Sequence, residues 1–287
     1  MMPRKTGTVP AMGANPGRSW WDDYNDDVRR LHESGWGKGA SVLSPEICAL
    51  LTDVDAAFAV TGPDTPGWPN PYGDGAERNE AVYERVTDPE KFLIVVARAR
   101  AWTRVLLDRG WAREAAQVRW ALRPSESGGA DTVLEPVVDG AVPLVLTTHS
   151  PVDSDHIFTV TVAAGDPAVT LAEIPDCGCD GCDSGSAELL QEMDEWVLSV
   201  VDGSLRVDVA VDHSSIRTSF GGRGGTVQNL DEPTSFTAAP WSANWTARPL
   251  PPEIETRHPE RAFPRAVLNR LPGPDGPPGS AQRYRSR

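Results

Sequence analysis

Long hydrophobic runs are missing from this chain. The longest unbroken apolar stretch, Phe92 to Ala97, covers six residues, whereas a membrane-crossing helix needs about 20. No apolar stretch follows Arg4 and Lys5 either, so no secretory leader is expected. A cytoplasmic address follows, and there thiols stay reduced. Basic charge is also short: 27 Lys and Arg stand against 41 Asp and Glu, a net charge of −14. From Arg257 onward seven Arg face only Glu260 and Asp275, a local charge of +5 that leaves the remainder near −19. Such a body lacks the basic patch by which a nucleic-acid-binding surface displaces counterions. Neither nucleic acid nor membrane is therefore expected as a partner.

Other signatures are absent too. There are only four cysteines and no second C-x-x-C pair. No Gly-x-Ser-x-Gly elbow is present, which argues against a serine-hydrolase nucleophile turn. The run Gly221 to Gly225 is not followed by Gly-Lys-Ser/Thr, so a phosphate loop is not indicated and a flexible turn is expected there. No internal repeat is found.

What is present points to a mixed fold. Residues 1–18 and 251–287 are rich in Pro, Gly and Arg, bury too little apolar surface to fold, and are expected to be disordered. Between them, ten tryptophans and many Val, Leu and Ala suffice for a core. Trp20, Trp21, Tyr24, Val28 and Leu31 recur at helical spacing after Ser19, with Gly35 as a stop. Ser44-Pro45 opens a second helix, whose stripe is Ile47, Leu50, Leu51, Val54 and Phe58. Residues 63–75 read as a loop. Thr87-Asp88-Pro89-Glu90 starts a third helix through Leu106, and a shorter helical piece is read over residues 112–120. The period then changes to strands at Val133–Val138, Val142–Thr148, His156–Val162 and Ala168–Ile174, with breaks short enough for an antiparallel meander. A helix from Ser184 or Ser186 to Gly203 follows, then an alternating strand from Leu205 to Val211. Trp241 and Trp245 mark the last packing segment. The expectation is one α+β domain over residues 19–250, with helices first, an antiparallel sheet in the middle, and a cysteine knuckle between a strand and a helix.

The sharp chemistry lies at Asp176 to Ser186. Cys177, Cys179 and Cys182 fall within six positions, interleaved with Gly178 and Gly181 that permit a tight backbone. In a reducing compartment such thiols read first as metal ligands, then as redox groups. Zinc is the expected ion because thiolates are soft and short-range donors, and a closed site needs four. The fourth ligand is open among His149, His156, His213, Cys48, Asp180 and Asp183. Cys48 sits mid-helix by an apolar stripe and reads as core. His213 ends a strand soon after the helix and is the chosen candidate. An EF-hand fails, because the position that needs Glu is Ala187. The group of Ser150, His149, Asp153 and His156 reads as a polar hairpin turn. No catalytic residue is identified.

Two segments resemble a known family when taken together. They are Tyr83-Glu84-Arg85-Val86-Thr87-Asp88-Pro89-Glu90-Lys91-Phe92 and Pro175-Asp176-Cys177-Gly178-Cys179-Asp180-Gly181-Cys182-Asp183. Their order and separation are similar to an uncharacterised actinobacterial family classified only as a domain of unknown function, over about residues 79–205. The resemblance implies a small cytoplasmic domain and no activity. From the residues, a non-enzymatic binding or interaction protein with a zinc knuckle and an unidentified protein partner is expected. The alternatives are a metal- or thiol-dependent enzyme using the same loop, and an acidic inhibitor or escort of a basic partner.

Overall fold

Helix starts follow their capping residues. In a computed structural model, residues 18–35, 39–73, 75, 78–125, 128–151, 156–225, 227 and 230–251 are described. They belong to a first unit ending at Pro252, and a second unit, from Glu253, lies outside them. The tails expected to be disordered lie outside the described residues except for Arg18 and Pro251, as does Asp153. Helix α1 (Trp20–Glu33) begins where Ser19 Oγ accepts from Asp22 N, with Asp22 and Asp23 in the first turn. Helix α2 (Pro45–Thr61) begins where Ser44 Oγ accepts from Ile47 N, with Pro45 in the first turn. These caps satisfy amides that have no partner within the helix.

The third helix starts later than its sequence signal. Pro89–Phe92 forms a 3-10 turn and α3 runs from Leu93 to Asp108. Asp88 takes φ +54°, and Thr87 spends its hydroxyl on Asp180 rather than on a cap. Residues 112–120, read as helical, instead supply strands β1 (Ala112–Ala115) and β2 (Trp120–Leu122). Tertiary pairing overrides the local helix preference of this Ala-rich stretch, as edge strands commonly do: β1 ladders onto Val133–Pro136 and Trp120 pairs with Ala168.

Strands β3 (Ala130–Pro136), β4 (Leu144–His149), β5 (Thr159–Gly165) and β6 (Ala168–Ile174) complete a six-stranded sheet in the order β1-β3-β4-β5-β6-β2. It is antiparallel except for β2, which runs parallel to β6 and so departs from a simple meander. The sheet must be curled. Ala115 and Trp120 lie on opposite edge strands, which a flat sheet would separate by five spacings, roughly 24 Å. Five residues reach at most about 17 Å. A register shift between Val162 and Ala163 helps bend it. One face carries the main core under α3 and α4, and the other holds a smaller cluster of Trp120, Val133, Val145, Ala163 and Ala168.

Helix α4 (Ser186–Val201) leads to a second, antiparallel sheet. Its strands are β7 (Arg206–Val209), β8 (Ser214–Thr218), β9 (Gly221–Gly225) and β10 (Thr234–Thr237), in the order β10-β7-β8-β9. The Gly-Gly-Arg-Gly-Gly run, expected to be a turn, is thus an exposed edge strand. With almost no side chains of its own, it takes its order from the β8 ladder. Among the described residues, no helix is long and apolar enough to cross a membrane.

A buried ion pair joins the helices. Asp194 on α4 is fully buried and Arg98 on α3 nearly so. Asp194 accepts from Arg98 Nε (2.8 Å) and Nη2 (2.6 Å), Trp102 Nε1 (2.7 Å) and Trp20 Nε1 (2.9 Å). Arg98 Nη1 also reaches Asp55 on α2 at 2.6 Å. Burial alone would lower the Arg98 guanidinium, but Asp194 and Asp55 hold it above its ordinary value. Removing one partner strands a buried charge, so Asp194→Ala is expected to lower the unfolding free energy by about 3–5 kcal/mol in urea titrations.

The neighbouring Glu195 predicts a pH effect. Burial, with the nearby Asp194 charge adding, raises its pKa against a hydrogen bond from Gln191. The folded state then holds its proton more tightly than the unfolded chain, and stability falls as pH rises from the unfolded value through the raised one. Glu195→Gln should match the parent below about pH 4 and be the more stable protein at neutral pH, as read by denaturation at both.

Candidate metal centre

The cysteines sit on an irregular link between β6 and α4. Cys179 precedes a single 3-10 turn, Asp180–Cys182, closed by Cys182 N donating to Cys179 O at 3.0 Å. Gly178 lies against Ile157 and Gly181 against the Tyr83 ring, so closely that an added Cβ would fall about 2.5 Å from each. Gly185 turns the chain into α4 at φ +89°, a conformation open to glycine.

The three thiols converge. Their sulfurs all lie within 4.8 Å of one another, and Cys177 Sγ to Cys179 Sγ is 3.2 Å. All three are free; Cys179 is buried, while Cys177 and Cys182 are exposed. A tetrahedral zinc ion with Zn–S bonds of about 2.3 Å sets its sulfurs about 3.8 Å apart, so one ion fits among them after small adjustments. The thiols are unequal. Partial desolvation of the sulfur pushes Cys182 up to about 12, the neighbouring sulfurs adding to it, and partial desolvation also raises Cys177. Burial would raise Cys179 as well, but donation from the Cys177 and Cys182 thiols and from backbone N–H groups holds it below its ordinary value.

The two segments of the family resemblance form one clasp around this loop. Asp180 Oδ1 accepts from Thr87 N at 2.7 Å, and Oδ2 accepts from Arg85 Nε at 2.5 Å and Thr87 Oγ1 at 2.7 Å. Asp183 Oδ1 accepts from Trp68 Nε1 (2.9 Å) and Gly185 N (2.8 Å), and Oδ2 from Lys91 Nζ (2.6 Å). Burial would raise both carboxyls, but these cations and donors hold each below its usual range. Asp180 N donates to Arg85 O at 2.8 Å, Ser186 N donates to Trp68 O at 3.1 Å, and Trp68 N donates to Ser186 Oγ at 2.9 Å. Lys91 also stands 5.3 Å from the Trp68 ring centroid and 5.1 Å from that of Phe92.

The structure does not bring the other expected ligands into this group of sulfurs. His213 lies in the β7–β8 turn, half-exposed, with its ring nitrogens facing Asp212 at 2.9 Å and Asp208 at 3.5 Å. It is not among the convergent ligand atoms, and the 16-residue helix α4 stands between it and the thiols in the chain. His149 is buried on β4 against Thr161, and Cys48 is held near Asn25 and Leu43. Asp180 and Asp183 stand beside the thiols but are taken up by the clasp. Sequence reasoning missed Trp68, Arg85, Thr87 and Lys91 as partners of the loop; for the last three the one signal was that their motif accompanies the cysteine motif, and for Trp68 there was none.

Gly185 tests the turn into α4. A Cβ there would meet the backbone of Pro69 and Asn70, 2.6 Å from Asn70 N. Gly185→Ala is expected to cost about 1–3 kcal/mol and to speed hydrogen exchange at the cysteine loop before the rest of the chain.

No curated protein and no solved structure matches the chain. The sequence profile of a family of unknown function (DUF6226) matches residues 54–258. This is wider than the 79–205 of the resemblance: it takes in Trp68 on the clasp, α3, α4 and both sheets. With well over half of its residues matched, the chain belongs to the family of unknown function DUF6226.

Proposed function

We propose that the chain is a cytoplasmic binding domain for a protein partner, in which Cys177, Cys179 and Cys182 hold one zinc ion. The observation that carries this reading is the convergence of three sulfurs within 4.8 Å on a loop clasped from both sides. Thiolate softness favours zinc over hard cations. The acidic body, at −14 overall, speaks against nucleic acid as the partner. A binding role is favoured over catalysis because the oxygens of Asp180 and Asp183, the carboxylates beside the thiols, already accept hydrogen bonds that hold the loop.

A metal- or thiol-dependent enzyme is the second reading. One observation favours it: Cys177 and Cys182 are exposed, so a bound ion keeps one side toward solvent.

Elemental analysis of protein purified without a histidine tag is expected to find about one zinc per chain. An ion present at 100 times its Kd adds about 2.7 kcal/mol, so chelation should lower Tm by roughly 5–10 °C for a domain of this size. Cys177→Ser should lose most of the metal and melt like the chelated parent. Metal-free protein whose melting ignores both chelator and this substitution would overturn the reading.

A further inference from the structure

We propose that the fourth coordination position of the ion takes an exogenous thiol, bound as its thiolate. The inference rests on the metal reading above and deepens it. Zinc completes four ligands, and among the described residues the group of convergent ligand atoms consists of three sulfurs. Two carboxylates between and just after the thiols are held elsewhere. Asp180 is tied to Arg85 and Thr87, and Asp183 to Lys91, Trp68 and Gly185. Swinging either onto the ion breaks a charge-assisted bond, of 2.5 Å for Asp180 and 2.6 Å for Asp183.

The open side faces outward. Cys179, the buried member, anchors the ion toward the protein, while Cys177 and Cys182 flank it at the surface. On that side the proposed ligand comes from solution.

Three thiolates decide its chemical class. They donate enough charge to leave a dipositive ion with a net −1, which polarises a bound water weakly. A soft donor suits such an ion better than a hard one, and a coordinating thiol is deprotonated outright. In the step, the zinc–oxygen bond to a water breaks, a zinc–sulfur bond forms, and the thiol proton passes to solvent. No electrons are transferred. The product carries the 2− charge of an ordinary four-cysteine zinc site, so the step needs no unusual charge compensation. The Arg85 and Lys91 cations offset Asp180 and Asp183.

The test uses the full chain loaded with cobalt(II) in place of zinc and titrated with 2-mercaptoethanol. Sulfur-to-cobalt charge-transfer absorbance should rise by about one third as three thiolates become four, saturating at one thiol per ion. One proton per ion should be released in weak buffer. Ethylene glycol, the oxygen analogue, should change nothing. Bound cobalt with an unchanged spectrum would overturn the thiol inference and leave the metal reading standing. Cobalt stripped into the filtrate by the thiol would overturn it too. A chain that takes up neither cobalt nor zinc removes the metal reading itself. His156→Ala, at the residue next to the Ile157 that packs on Gly178, should leave the cobalt spectrum unchanged; a spectral shift would assign the fourth position to that imidazole and refute the proposal.

Discussion

The buried carboxylate of Asp194 is the constraint on which the rest of the structure depends. Its two oxygens accept four N–H bonds, from Arg98 twice and from Trp102 and Trp20. That uses all of its acceptor capacity. A buried ion pair seldom adds stability over an apolar pair of the same shape, but it punishes every arrangement in which it is broken. Only one rotation of α4 turns Asp194 toward α3, and only one seat of α1 brings the Trp20 indole to it. Arg98 then reaches onward to Asp55 on α2, so four helices are fixed about one carboxylate.

The cysteine loop inherits its position from that pair. Lys91 meets Asp183 just before α3 and α4 begin, and Arg98 meets Asp194 further along both. Two cross-links in the same order along both segments make α3 and α4 run in the same direction. Both N-termini therefore lie at the cysteine end. Helix N-termini carry partial positive charge, which opposes the desolvation that raises Cys177 and Cys182. The link from core to site is thus mechanical as well as electrostatic: the register of the helices sets where the loop closes.

Local features are legible in the amino-acid sequence, and long-range ones are not. The Ser44-Pro45 start and the strand read over Leu205 to Val211, found at Arg206–Val209, are visible because caps and period-two alternation are properties of neighbours in sequence. The thiol cluster is visible for the same reason. The clasp is not: Thr87 and Asp180 are 93 positions apart, and a hydrogen bond between them leaves no period in either segment. The misreadings share this cause. Residues 112–120 have the composition of a helix, yet they close the edges of a curled sheet. Gly221–Gly225 has the composition of a turn, yet β8 offers it a ladder. Asp180 and Asp183 have the chemistry of ligands, yet a cation and further donors already hold each of them.

This division of labour bears on what an ion at this site does. In a zinc finger the metal is the main thing that organises its ligands, and the binding energy is folding energy. Here, carboxylates, glycine packing and a backbone turn hold the loop through contacts that involve no sulfur. The thiols are gathered before any ion arrives, so less of the binding energy goes into ordering the chain. More of it would then remain as affinity. A loop built only to staple the fold would bury its fourth ligand. One that is preassembled, anchored by a buried Cys179 and exposed at Cys177 and Cys182, is instead suited to exchange what binds on its outer side.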